Sequence, residues 1–212
     1  TTPGNTLTAQ WAKLSAIGGT WTYDGQSHTV SNVSVEGVDG YTVTYKVDDT
    51  EYTDVTSVAI SSVGEKNVTV IARKAGYRQL EKTVTLKITP IEVTVSVTGN
   101  NDNRVYNGSV QSVNGYSISS DNTLYSVTDM VNGPTQENAI ASRTDVGTTY
   151  MGLSKDSFTN VNNNFNVTFA VTDGYITITA KDISQEDNAE VNYPVDVVYN
   201  GNQHKWTPIV TD

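Results

Sequence analysis

Val84-Thr85-Leu86-Lys87-Ile88-Thr89-Pro90-Ile91-Glu92-Val93-Thr94-Val95-Ser96-Val97 reads as two alternating runs broken by one proline. Val84, Leu86 and Ile88 alternate with Thr85, Lys87 and Thr89; Ile91, Val93, Val95 and Val97 alternate with Glu92, Thr94 and Ser96. Successive side chains of an extended chain point to opposite faces, so this period of two predicts strands with one buried and one wet face. Pro90 has no N–H to give a ladder, so it ends one strand before the next begins. The same period recurs outward at Tyr41–Val47, at Val68, Val70 and Ala72, and at Val167, Phe169 and Val171, with Ile176 and Ile178 following Gly174. No segment sustains a 3.6-residue period; residues 9–17 come closest and are short and rich in strand formers.

Composition agrees. Of 212 residues, 29 are Val, 31 Thr and 11 Ile, about a third of the chain and all stiff at χ1, which favours pleated over helical backbone. There are 20 Asn and 16 Gly against 5 Pro, the signature of many tight turns. Thirteen basic and 23 acidic residues give a net charge of −10, which repels phosphate backbones and argues against nucleic-acid binding. No apolar run approaches the ~20 residues that a membrane helix needs, so no membrane insertion is expected. The absence of cysteine rules out disulfides and thiol chemistry.

Two landmarks repeat at one offset. Tyr-Asp/Asn-Gly occurs at Tyr23-Asp24-Gly25, Tyr106-Asn107-Gly108 and Tyr199-Asn200-Gly201, and Val-Gly at Val63-Gly64 and Val146-Gly147. The first two of each are 83 positions apart. The spacing from Tyr106 to Tyr199 is ten residues longer, and the Asn-rich stretch 160–166 is where we place the excess. Asp24-Gly25, Asp39-Gly40, Asn107-Gly108, Asn114-Gly115, Asp173-Gly174 and Asn200-Gly201 are read as turns whose residues accept positive φ. The expected architecture is all-β: two tandem immunoglobulin-like β-sandwiches plus the opening strands of a third unit. The boundaries are 1–13 (tail of a preceding module), 14–90 (first repeat), 91–181 (second repeat) and 182–212 (start of a third).

The stretch Tyr23-Asp24-Gly25-Gln26-Ser27-His28-Thr29-Val30, with Val63-Gly64 and Val68-Thr69-Val70 behind it, resembles the MBG-type bacterial immunoglobulin-like repeats. Tyr199-Asn200-Gly201-Asn202-Gln203-His204 matches the same opening; the second copy lacks the histidine. Thr6-Leu7-Thr8-Ala9-Gln10-Trp11 resembles the closing strand of the internalin-type B-repeat. Both resemblances imply a long modular protein of the bacterial cell surface, extracellular, with a spacing or adhesive role and no catalytic activity. The implied partners are neighbouring repeats, with glycans or host surface proteins as the alternative.

Candidate sites are few. Trp11, Trp21 and Trp206 are the candidate ligand-facing aromatics, since sugar C–H faces pack on flat rings; Trp21 and Tyr23 share a strand face that is as readily core as platform. His28 and His204 take matching places, and one histidine per repeat is too few for a metal, so sheet-edge packing is expected. Asn100–Asn103, and Asp48-Asp49 with Glu51, are the calcium candidates, and neither forms a full loop pattern. Lys66, Lys74, Lys82, Lys87, Asn32 and Asn67 supply the ingredients of a Lys–Asn cross-link without singling out a trio. Tyr23, Tyr106 and Tyr199 are read as rings filling the sandwich end, each with its hydroxyl on a backbone partner. No catalytic residue, metal or cofactor is assigned.

Overall fold

The computed structural model describes residues 11–182 and the short pair β18 (Glu190–Val191) with β19 (Val210–Thr211). Trp206, His204, Tyr199 and Asn200-Gly201 lie outside the described residues, as does most of the expected third unit. The protein is an all-β sandwich fold. Its strands are β1 (Lys13–Ile17), β2 (Gly19–Thr22), β3 (Ser31–Glu36), β4 (Thr42–Val47), β5 (Thr50–Tyr52), β6 (Gly64–Arg73) and β7 (Leu80–Thr89). Then come β8 (Ile91–Gly99), β9 (Asn101–Val105), β10 (Gln111–Asn114), β11 (Tyr116–Ser120), β12 (Val131–Asn132), β13 (Ile140–Arg143), β14 (Gly147–Tyr150), β15 (Thr159–Asn160), β16 (Phe165–Thr172) and β17 (Tyr175–Thr179).

Contacts divide the chain into two compact units. The first holds the described residues up to Val97 together with Ile118–Gly133 and Lys155–Val171. It contains a five-stranded sheet in the order β2-β7-β6-β4-β5 and the antiparallel pair β1-β3. Ala16, Val30, Val58, Val68, Val70, Val84 and Leu86 form its buried cluster, with Trp21, Val33, Val43 and Tyr45 packed on it. Val84, Leu86 and Ile88 are all buried, as the alternation requires, and so are Val93, Val95 and Val97 of β8.

The second unit comprises Thr98–Ser117, Pro134–Ser154 and the described residues from Thr172 on. It holds the sheet β14-β17-β9 and the pair β10-β13. Ala141, Ile176 and Ile178 are its buried cluster, with Val113 and Met151 against them. The remaining sheets are β11-β8-β16 and β12-β15.

The 83-residue repeat reappears as hydrogen-bond register. Ile88 is flanked by Trp21 in a parallel ladder and by Gly64 in an antiparallel one. Ile178 is flanked in the same two ways by Arg104 and Gly147. The Tyr23 N–H donates to Thr89 O at 2.9 Å, and the Tyr106 N–H to Thr179 O at 2.9 Å. His28 bridges Ile60, and Gln111 pairs with Arg143, 83 positions on at both ends. From Gly64 to Ile88 is 24 positions and from Gly147 to Ile178 is 31, so seven of the ten extra residues fall inside the second repeat and three after it.

Backbone geometry explains why the landmarks are spelled as they are. Gly25 and Gly108 have φ of 75° and 76°, and Gly64 and Gly147 have φ of 151° and 134°, values that a Cβ disfavours. The Asp24 and Asn107 side-chain oxygens accept from the backbone N–H two residues on, at 2.9 and 3.0 Å, so either residue can cap the turn. Asp173-Gly174 differs from expectation: Gly174 has no positive φ. A Cβ there would fall 2.6 Å from Met151 Sδ and on the carbonyl of Asn100, so close packing, not turn geometry, excludes a side chain.

The repeats also diverge. Where the first has β4, the second has one helical turn, α1 (Val127–Met130), with the Ser126 hydroxyl donating to Asp129 Oδ2 at 2.6 Å. The alternating pattern of Tyr41–Val47 is missing there, and only Tyr125 goes to the core. Gly64→Ala meets no neighbouring atom within 4 Å, so its cost is backbone strain alone. Chemical denaturation should show a loss of about 1–3 kcal/mol, with an unchanged m-value.

Candidate functional site

Two places in the first unit gather side chains that do more than fill a core. One is built on the Asn-rich turn ahead of β16. Asn160 Nδ2 donates to the carbonyls of Asn162 (2.8 Å) and Phe165 (2.9 Å), and its Oδ1 accepts from Asn162 N. Asn162 Oδ1 in turn accepts from Asn164 N at 3.0 Å. A run of short amides that bond their own backbone is what fixes an irregular turn. The turn presents Asn164, whose Oδ1 accepts the Val63 N–H at 2.8 Å, while its carbonyl accepts the Ile91 N–H at 3.1 Å.

Phe165 follows and is buried. Its ring meets Tyr23 edge-on at 5.4 Å and Tyr125 at 5.0 Å, the geometry preferred by aromatic quadrupoles. The Tyr125 hydroxyl lies 3.1 Å from both the Met130 carbonyl and Asn160 Oδ1, and its single proton is shared between these two acceptors. Burial holds that phenol above its ordinary pKa, so it remains a donor. Asn164 therefore ties the Val-Gly landmark to the segment just after Pro90, and Phe165 packs on the Tyr-Asp-Gly landmark.

The other place is a groove of about 500 Å³ lined by Trp11, Leu14, Tyr41, Tyr77, Arg78 and Gln79, among others. Trp11 is 84% exposed. Tyr41 and Tyr77 meet edge-on at 6.1 Å, and Lys74 Nζ lies 4.4 Å from the centre of the Tyr77 ring. Next to it, Arg73 pairs with Glu51, which also accepts from Thr44. The Arg73 guanidinium first and the Thr44 hydroxyl second hold the Glu51 carboxyl below the usual range.

Of the three candidate tryptophans, Trp11 lines this groove. Trp21 is half-buried and stacks on His28 with ring centres 4.5 Å apart. Trp206 is not among the described residues. His28 Nε2 lies 3.0 Å from Asp24 Oδ1, so the histidine links sheet edge to turn. The Gln26 backbone N–H and then His28 hold the Asp24 carboxyl below its ordinary pKa. Tyr106 does not fill a sandwich end as expected; it is exposed.

Among the described residues no three His, Cys, Asp or Glu side chains come together to hold a metal. Three acids of the calcium candidates have other partners: Asp102 takes Arg104 Nε at 2.7 Å, Asp49 lies 3.8 Å from Lys46, and Glu51 is on Arg73. Of the cross-link candidates, Lys66 donates to Ala59 O, Lys74 to Asp39 O, and Lys87 lies 3.5 Å from Glu65, while Asn67 Oδ1 accepts from Thr85. No known family model matches the chain, and no curated protein matches it.

Phe165→Ala should lower unfolding stability by about 3–5 kcal/mol, and Asn164→Ala by roughly 1–3 kcal/mol for the Val63 N–H left behind. A double-mutant cycle of Asn164 with Phe165, followed by denaturation, measures their coupling. A second expectation concerns acid. The Asp24 carboxylate favours the folded state at pH values above its unfolded pKa, and this is lost as pH falls through its lowered folded value. Asp24→Asn should flatten that acid limb in a thermal melt series between pH 5 and pH 2, by about the small amount an exposed group can supply.

Proposed function

We propose that this chain is a non-enzymatic spacer segment of a modular bacterial cell-surface protein, built from tandem immunoglobulin-like repeats that hold a functional head away from the envelope. The observation that carries this reading is the recurrence of one register at residues 83 positions apart: parallel opening ladder, antiparallel Val-Gly ladder, backbone bond from the motif tyrosine, and histidine-position bridge. A protein that repeats a closed β unit along its chain gains length without new chemistry. The acidic, threonine-rich composition suits a solvated, non-associating exterior. The side-chain amide of Asn164 and the ring of Phe165 suit a junction that resists bending.

Pulling the chain from its two ends tests this. Two separate rupture events should release about 77 residues (14–90) and about 91 residues (91–181), each at ~3.5 Å of contour per residue. One event releasing both together would overturn the reading.

The exposed groove favours a second reading, a glycan-binding module of the same surface protein, since Trp11, Tyr41 and Tyr77 offer ring faces beside Gln79 and Arg78. A glycan array probed with the intact chain should then show binding that Trp11→Ala weakens about tenfold or more, the loss of one stacking contact. Binding indifferent to Trp11 and Tyr77 would sink it.

A further inference from the structure

The two repeats carry the same exit, but among the described residues only one is covered. In the first, the chain leaves through Thr89, flanked by Tyr23 on one side and Val63 on the other. Tyr23 packs on Phe165 and the Val63 N–H is bonded to Asn164, and both residues are half-buried. In the second, the chain leaves through Thr179, flanked by Tyr106 and Val146, each 83 positions after its counterpart. There Tyr106 is 39% exposed, Val146 53% and Val110, four residues after Tyr106, 71%. Gly108 and Gly147 keep the φ values of Gly25 and Gly64, so the backbone of the socket is already formed.

We propose that Tyr106, Val110 and Val146 form a docking socket for the Asn-Phe turn of a following copy of this repeat, in which that copy's counterparts of Asn164 and Phe165 accept the Val146 N–H and cover the Tyr106 ring. The inference rests on the tandem-array reading and names the partner of this surface. The occupant is a copy of the repeat because the same landmarks, in the same register, already hold that turn at the first exit. Two exposed valines beside a tyrosine, in a chain of net charge −10, also suit the uncharged tip Asn162-Asn163-Asn164-Phe165 better than an acidic face. The cost of ordering such a contact is small, because linkage in one chain makes it intramolecular.

The chain has no cysteine, so a single introduced thiol reports one position. Val63→Cys in the 212-residue chain should react slowly with a thiol reagent, and about tenfold faster when Asn164→Ala and Phe165→Ala are added. Val146→Cys should react quickly in the same chain. It should slow about tenfold when residues 1–180 are followed by a further copy of residues 91–181, which reproduces the Thr-x-Ile exit of the first junction. Asn164→Ala with Phe165→Ala in the appended copy should restore the fast rate. A second extension, residues 1–212 followed by 120–181, guards against an appended copy that fails to fold. If Val146→Cys stays fast in both extensions while Val63→Cys stays slow, or if it slows without depending on the appended Asn and Phe, the socket is overturned. Two rupture events under force with either result would leave the array reading standing; a single event would remove that reading instead.

Discussion

Everything in this fold hangs on the closing strand of each repeat, β7 or β17, being held between its second strand, β2 or β9, and its Val-Gly strand. Ile88 sits between Trp21 and Gly64, and Ile178 between Arg104 and Gly147. The parallel ladder joins residues more than sixty positions apart in both cases, so a large loop must close before any of it forms. Once it has formed, the apolar faces of the closing strands, Leu86 and Ile88 or Ile176 and Ile178, are buried at a stroke. The chain must then leave the sheet beside the motif tyrosine and the Val-Gly pair, which is why the two landmarks sit together at the exit although forty residues separate them.

That constraint leaves the rest of each repeat free to vary. The second repeat replaces β4 with a helical turn and carries seven more residues between Gly147 and Ile178 than the first has between Gly64 and Ile88. Insertions are tolerated on such connections because the ladder ends stay fixed. Here the inserted stretch is not slack: its asparagines bond one another's backbone, bury Phe165 and deliver Asn164 to two backbone N–H groups.

Much of this was legible from residue order. The alternation of Val84–Ile88 and Ile91–Val97 marked buried faces that the structure confirms, because side-chain direction in a strand is set locally. The Asp/Asn choice in the motif and the two invariant glycine places were visible as spelling, and their cause is a side-chain cap and a positive φ. Less legible was the fate of individual rings. Trp21 and Tyr23 are two residues apart, yet one stacks on His28 across the Asp24-Gly25 turn and the other meets Phe165, which is too far off in sequence to be suggested by pattern. Tyr106 repeats Tyr23 in sequence and not in surroundings, since a ring is buried only where something covers it. Gly174 looked like a turn residue because it follows an aspartate, and its role is set instead by Met151 and Asn100 packing against it.

Strand faces and most of the turns can be read from residue order, because each follows from φ, ψ and side-chain alternation over a few neighbouring residues, and the 83-residue period is visible as repeated spelling. What those parts touch is set by long-range packing. The bond from Val63 N–H to Asn164 spans 101 positions, and a single amide at that distance leaves no periodic trace in a chain with 20 asparagines. Long-range pairing selects one of them by geometry, and geometry exists only once the sheets have closed.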